Sequence, residues 1–448
     1  MTGRLRGPTL DAPRTSVAAL RQGRRLAYWQ AGLWAAGTGL ASSPLVIYLA
    51  MEFGTVRVGL GISLIKAAPH LAGLLRLAAP AMIGRLADRK HFCLGSYLLA
   101  ALVLLSLPLS VAPSWRLSPG AALGAVVLLW CLYHLLEYLG SVALWSWLAD
   151  LAPVRIRGRF LGRRERWSVA GVAAAMLVAA LFSFLWRKWV PGAIWAGYAI
   201  PWIAGCGSLA ASLVPLARMP ALTPAGAARP AAPLLAMLKP FADPGFLRYI
   251  AFGCWFSLFN GLVQSAQEIF PRDVLGVGRP LFLTLHTGTR LGQLAVSPTL
   301  GRWADRVGNR PVLMACVPVI ASSMLFFLVA SPACWYWIIG AWAAWIAYAG
   351  VNVCQPNLLL KLAPADLRPS YVAAYYTASG LCVAASMIVG GVAFDALRES
   401  FDYSPISLFG GALAIDLFQV LFLFGFATRA MSMLVLLWVR EPGGKDEG

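Results

Sequence analysis

Twelve predominantly apolar stretches follow one another along this chain, each long enough to form a helix that crosses a bilayer. They fall at about 26–50, 58–83, 92–112, 121–149, 167–186 and 192–217, and then at 247–270, 280–300, 312–331, 333–360, 370–396 and 406–438. A helix crosses the ~30 Å hydrocarbon core in about 20 residues. Backbone groups in that core find no water, so they must be satisfied within helices or closed barrels. Barrel strands would be about half as long and would alternate in polarity, so these runs predict helices. Composition agrees. The 448 residues are 59% hydrophobic and 12% charged, whereas about a quarter of an ordinary soluble chain is charged. That is too little charge to cover a water-soluble body, so lipid is the expected solvent.

The net charge of +19 does not point to nucleic acid. Lys and Arg form no tracts with interleaved aromatics; they fall between the apolar stretches, where membrane topology puts them. With the N-terminus placed inside, 26 of the 37 lie in inner segments and seven in outer loops: Arg57, Arg116, Arg187, Lys188, Arg272, Arg279 and Arg398. This predicts a multi-pass protein of the plasma (inner) membrane with both termini cytoplasmic. The basic segment 1–25 reads as an uncleaved tail rather than a signal peptide, because eleven more spans follow the first. The eight cysteines are dispersed through apolar runs with no CxxC, and the four histidines form no metal pattern, so neither disulfides nor a metal is expected.

The chain repeats itself. GRLADRKHF (84–92) follows the second span and GRWADRVGNR (301–310) follows the eighth; APVRIRGRFLG (152–162) follows the fourth and APADLRPSYVA (363–373) the tenth. The Pro/Ala-rich segment 218–246 lies between the two copies and reads as a linker. The expected fold is an all-α polytopic membrane protein, twelve transmembrane helices in two six-helix bundles (26–217 and 247–440) related by a parallel repeat, with a short tail at 441–448. The G-x-[LW]-A-D-R pattern, occurring twice at equivalent places, resembles the loop signature of the major facilitator superfamily. The first copy is shorter and lacks the second Gly. The resemblance implies alternating access, with a cytoplasmic gate at Gly84, Asp88, Arg89, Gly301, Asp305, Arg306 and Arg310. The glycines would let helices approach, and the aspartates would accept bonds from a helix N-terminus across the interface. A tight basic turn obeying the positive-inside rule is the plainer reading of the same residues.

Four basic residues fall within spans: Lys66, Arg76, Arg290 and Arg429. Ionisable groups at that depth usually face a cavity or a partner. At 100° per residue, Lys66, His70 and Arg76 share a face of the second span, and His286, Arg290 and Gln293 share a face of the eighth. Arg76 and Arg290 stand about 12 and 16 Å above their motifs, at 1.5 Å per residue. They are expected to look into a central cavity, holding either an anionic solute group or a protein carboxylate, with Glu137, Glu268 and Asp416 as the candidates. Lys66 is expected to snorkel outward, and Arg429 to sit at the inner surface. His134 and Glu137, one turn apart, could form a proton-coupling pair or a satisfied polar contact. Asn260, Gln264 and Gln267 on the seventh span and Asn352 and Gln355 on the tenth suit a pocket for a polar organic solute, or helix–helix glue.

No G-x-x-x-x-G-K-[ST], HExxH or G-x-S-x-G occurs, so neither direct ATP use nor hydrolysis is expected, and no cofactor. The sequence reads as a secondary active transporter of a small polar organic solute, anionic if Arg76 and Arg290 hold it, driven by a proton or solute gradient and monomeric in the bilayer. The alternative is a lipid flippase or scramblase, or a non-transporting sensor or chaperone of the same shape.

Overall fold

A computed structural model describes residues 16–42, 44, 46–47, 51, 57–76, 88–112, 117–151, 154–190, 192–221, 239–364, 367–401, 406–408 and 413–441. The first group of helices comprises α1 (Val17–Leu40), α2 (Val58–Ala72, running into a 3-10 turn at Gly73–Arg76), α3 (Arg89–Ser110), α4 (Pro119–Leu151), α5 (Val154–Trp189) and α6 (Ile194–Arg218). The second comprises α7 (Pro244–Leu262), α8 (Gln264–Asp273), α9 (Arg279–Val307), α10 (Asn309–Val329), α11 (Ile338–Ala344), α12 (Tyr348–Leu362), α13 (Arg368–Phe401) and α14 (Leu417–Leu437). Among the described residues, nine helical segments are long and apolar enough to cross a bilayer, and α2 is a shorter apolar helix. Leu98, Leu102, Leu128, Val178, Leu181, Phe184 and Leu423 stand exposed around the outside, a surface that suits hydrocarbon rather than water.

Two expected spans are broken. The seventh consists of α7 and α8, which meet at Val263. The tenth is divided by 3-10 turns at Trp335–Trp337 and Trp345–Ala347. The twelfth starts late: a short antiparallel hairpin, β1 (Ile406–Leu408) with β2 (Leu413–Ile415), precedes α14. Asp416 then begins α14 in a reciprocal cap with Gln419, which satisfies two otherwise bare amides. That use removes Asp416 as a partner for the buried arginines.

The packing order recurs in the two groups. In the first, α1 packs on α5 and α6, and α3 on α4 and α6. In the second, α7 packs on α13 and α14, and α10 on α12 and α14. Between the groups, α2 lies along α13 and α5 along α9. The loops around 88–91, 151, 219–221, 243, 308 and 441 make up the terminal face; Arg24 reaches the Leu151 carbonyl there, and Lys90 that of Met219. The opposite, far face carries the starts of α2, α6 and α9.

Lipid-embedded helices gain little from burying apolar surface against one another, so polar contacts and fit hold them together. Two tryptophans do this at prolines. Pro69 in α2 and Pro108 in α3 have no N–H, which leaves the carbonyls four residues earlier without their helical donor. Trp130 donates its indole N–H to the Ile65 carbonyl at 3.0 Å, and Trp202 donates to that of Leu104 at 2.7 Å. Each bond fills the gap the proline makes and ties two helices. Trp202→Phe should therefore cost about 1 kcal/mol, read as a lower melting temperature. In a Pro108→Ala background, where residue 108 regains its own N–H, the same substitution should cost measurably less. Equal costs in both backgrounds would separate the indole bond from the proline gap.

Candidate functional site

Three adjoining cavities lie near the middle of the molecule, two in the cleft between the groups and a third lined by the first group alone. The first, of about 270 Å³, is lined by Lys66, Asn260, Gln264, Gln267, Glu268, His286, Thr289, Arg290, Gln293, Trp345, Tyr348 and Asn352. The second, about 360 Å³, shares Asn260, Tyr348 and Asn352 with it and adds His70, Gln355, Tyr375 and Tyr376. The third, about 380 Å³, shares Pro69 with the second and is lined by Trp34, Thr38, Trp130, Tyr133, His134, Glu137 and Ser168. The amides of α7, α8 and α12, with His70, His286 and Arg290, line the two cavities between the groups, whereas His134 and Glu137 line the third, within the first group. Arg76 lies in the 3-10 turn that ends α2.

Lys66 does not snorkel. Its ammonium meets Glu268 Oε1 at 2.6 Å, across the boundary between α2 and α8, with only 18% and 5% of the side chains exposed. Gln264 donates to the same oxygen at 3.1 Å. The short reach of α2 explains the difference: Lys66 sits in the middle of the helix, facing the other group, with no route to the surface. Glu268 Oε2 and His286 Nε2 are buried polar atoms with no bond to the described residues. Such atoms are costly unless something polar meets them.

Arg290 makes one hydrogen bond among the described residues, to Gln293 Oε1 at 3.4 Å. Gln293 in turn donates to the Trp345 carbonyl at 3.0 Å. All three carboxylates proposed as arginine partners are engaged elsewhere: Glu268 with Lys66, Glu137 with His134 at 3.2 Å, and Asp416 at its cap. Arg429 is fully buried rather than at a surface. It donates to the Asn260 carbonyl at 3.2 Å and to the Gln267 amide oxygen at 3.0 and 3.1 Å, so it stands behind the cavity and fixes two of its amides. Tyr348 donates to Asn260 Oδ1 at 3.2 Å, and Gln355 is bound to the Tyr375 hydroxyl.

On the far face the groups meet closely. Asp395 of α13 accepts from the Gly59 and Leu60 amides at 2.8 Å each, capping the start of α2 from the other group. Ser63 and Ser265 share a hydrogen bond of 2.7 Å. A Cβ on Gly391 would come within 2.5 Å of the Gly59 carbonyl, so only glycine permits this approach.

The signature loops at the terminal face are bonded within their own groups. Gly84 lies outside the described residues. Asp88 caps its own helix, α3, accepting from the Lys90 and His91 amides and the His91 ring, instead of reaching across the interface; the His91 amide leads in holding its carboxyl below the ordinary value. Arg89 donates to Ser146 Oγ at 2.8 Å. Gly301 has its nearest neighbour for a Cβ, Val353, at 3.9 Å, an ordinary contact, so no close helix approach demands it here. Asp305 and Arg306 occupy the last turn of α9.

At this face a different carboxylate, outside the motifs, caps a helix from a distance. Glu441 accepts from the Asn309 amide (3.1 Å), Asn309 Nδ2 (2.8 Å), the Arg310 amide (2.8 Å) and Lys361 Nζ (2.8 Å), while Arg310 Nη2 reaches the Leu437 carbonyl at 3.0 Å. Only its position, four residues past the last apolar turn and in register with Gly308, could have signalled this. Burial alone would raise the Glu441 carboxyl, but the Arg310 amide, Lys361 and Asn309 outweigh it and hold it down, at about 2 against an ordinary 4.5. A depressed value means that the stabilisation is complete above about pH 4.5 and fades as pH falls toward 2. Glu441→Gln should lower the melting temperature at pH 7, and the gap to wild type should narrow steadily between pH 5 and pH 3.

No family model matches the sequence, and no curated protein matches it. Solved structures do resemble it in shape. A D-xylose–proton symporter aligns with a TM-score of 0.71 at 15% identity, covering 95% of this chain and 99% of that one. The nucleoside transporter NupG aligns with 0.63 at 14%, covering 94% and 98%. A bacterial homologue of the human lysosomal transporter Spinster, in an inward-facing and unoccupied conformation, aligns with 0.55 at 14%, covering 94% of both. All three are named as transporters, and the chain has their fold over nearly its whole length: that of the major facilitator superfamily.

Proposed function

We propose that this protein is a secondary active transporter that moves a small polar organic solute bearing an anionic group, by alternating access. The observation that carries the reading is Arg290. Its guanidinium faces a cavity between the two groups and meets no carboxylate among the described residues, while every carboxylate that could have matched it is engaged elsewhere. A guanidinium favours a carboxylate or phosphate held by two parallel bonds. Around it, Glu268 Oε2 and His286 Nε2 offer unmatched polar atoms, and the amides of Gln264 and Asn352 with the Tyr348 hydroxyl suit a hydroxylated or amino-bearing body. The neighbours in shape named for xylose and nucleosides carry polar organic solutes, which agrees with such a cavity.

In this reading 26–217 and 247–440 are halves of a parallel repeat, twelve spans in all, that rock about the cleft while 218–246 tethers them. The inner ends, with Gly84, Asp88, Arg89, Gly301, Asp305, Arg306 and Arg310, form the gate that closes when the far face opens. The basic-residue count supports cytoplasmic termini in the inner membrane. Glu137, bonded to His134 beside the cleft, carries the coupling proton.

Purified protein in detergent should be stabilised by its solute through mass action. In a panel of anionic, neutral and cationic solutes, an anion should raise the melting temperature of wild type and fail to do so with a folded Arg290→Gln variant. Stabilisation by neutral or cationic solutes alone, or equal shifts in both proteins, would make Arg290 structural. In proteoliposomes, Glu137→Gln should abolish accumulation driven by a pH gradient while sparing solute exchange. Accumulation that persists would remove Glu137 from the coupling step.

A further inference from the structure

A fourth cavity, of about 460 Å³, lies away from the central cleft, at the far face. It opens between the last turn of α5, the start of α6, the end of α8 and the start of α9, so both groups contribute to it. Three arginines line it: Arg187 from the first group, and Arg272 and Arg279 from the second. No Asp or Glu is among its described lining residues. Arginine stays charged in any protein environment, so three around one hollow raise a strong positive potential there.

Their setting is built rather than incidental. Arg279 lies 4.1 Å over the ring of Tyr198, a contact that crosses between the groups. Arg187 rests against the backbone of Gly278, where a Cβ would stand 3.0 Å from Nη1. Gly276, at φ +67°, turns the chain so that 276–278 form the floor. Arg272 approaches Asp273 at 4.0 Å on its other side. Ile194 in the lining is 50% exposed, and Phe184 and Trp189, on neighbouring faces of α5 outside the lining, are 57% and 73% exposed. Tryptophan beside exposed aliphatic surface at a helix end marks the headgroup level of a bilayer.

We propose that this cavity binds a phosphate group, supplied by the headgroup of an anionic phospholipid or by free phosphate, and that the bound group ties the two halves together at the far face. Phosphate oxygens accept paired bonds from guanidinium forks, and basic hollows between membrane helices suit lipid headgroups. The site is separate from the solute cavity, and Arg290 has no part in it.

Protein in neutral detergent would be titrated, at matched ionic strength, with sodium phosphate, with sodium chloride, with short-chain phosphatidylglycerol and with short-chain phosphatidylcholine, following the melting temperature. Phosphatidylglycerol alone raising it identifies a headgroup; sodium phosphate also raising it identifies the free ion as sufficient. Arg187→Gln, at an exposed helix end, should weaken the response about tenfold or more, the size of a lost charge-assisted bond. Gly278→Ala, which displaces the Arg187 fork without removing charge, should weaken it too, and Arg218→Gln, in the last turn of α6 at the opposite face, should not. No response to either phosphate source in wild type, or an undiminished response in both Arg187→Gln and Gly278→Ala, would overturn the proposal. Arg290→Gln should leave the response intact, so failure here is distinct from failure of the solute reading.

Discussion

The ion pair between Lys66 and Glu268 is the contact on which the arrangement of the two groups depends. It is buried and crosses from α2 to α8. Removing one partner of such a pair leaves a charge stranded and costs about 3–5 kcal/mol, and in a bilayer no hydrophobic gain between helices offsets that. The surrounding contacts repeat the theme. Ser63 with Ser265, Asp395 with the first amides of α2, and Gly391 against Gly59 are all short and polar or made possible by small residues. Among the described residues, the hydrogen bonds and ion pairs between the groups gather from mid-depth to the far face, while the signature loops at the terminal face are satisfied within their own groups. The cleft is thereby closed at one end by specific chemistry.

The same pair shapes the central cavity. By engaging Glu268 it leaves Arg290 as the positive charge that no described carboxylate matches. Arg429 contributes from behind, holding Asn260 and Gln267 in place without lining the cavity itself. A positive site framed by amides is thus a consequence of where the carboxylates went, and those places were decided by helix packing and capping.

Much of this was legible in the sequence because its signals are periodic. Apolar runs signalled the helices, and His286, Arg290 and Gln293, which share a face by their spacing, line one cavity. What stayed hidden depends on contacts between distant segments. Lys66 reads as a residue free to reach the surface until α13 and α8 are seen to cover it. Arg429 reads as a surface residue by its distance from Arg440, yet α14 buries it against α7 and α8. Asp88 and Glu441 show the same limit. The first sits in a recognisable loop and merely caps its own helix, whereas the second sits in an unremarked tail and caps one 132 residues away. The break at Trp345–Ala347 was invisible too, since neither Gly nor Pro marks it, whereas Gly261 stands two residues before the break at Val263.

Asp395 carries a further consequence. The Gly59 and Leu60 amides have their acceptor on the opposite group, so if the far face separates, those two amides and the carboxylate lose one another at once. Water is what remains to bind them. Under the proposed alternating access, opening that face would be coupled to hydration, and its equilibrium would respond to osmotic stress.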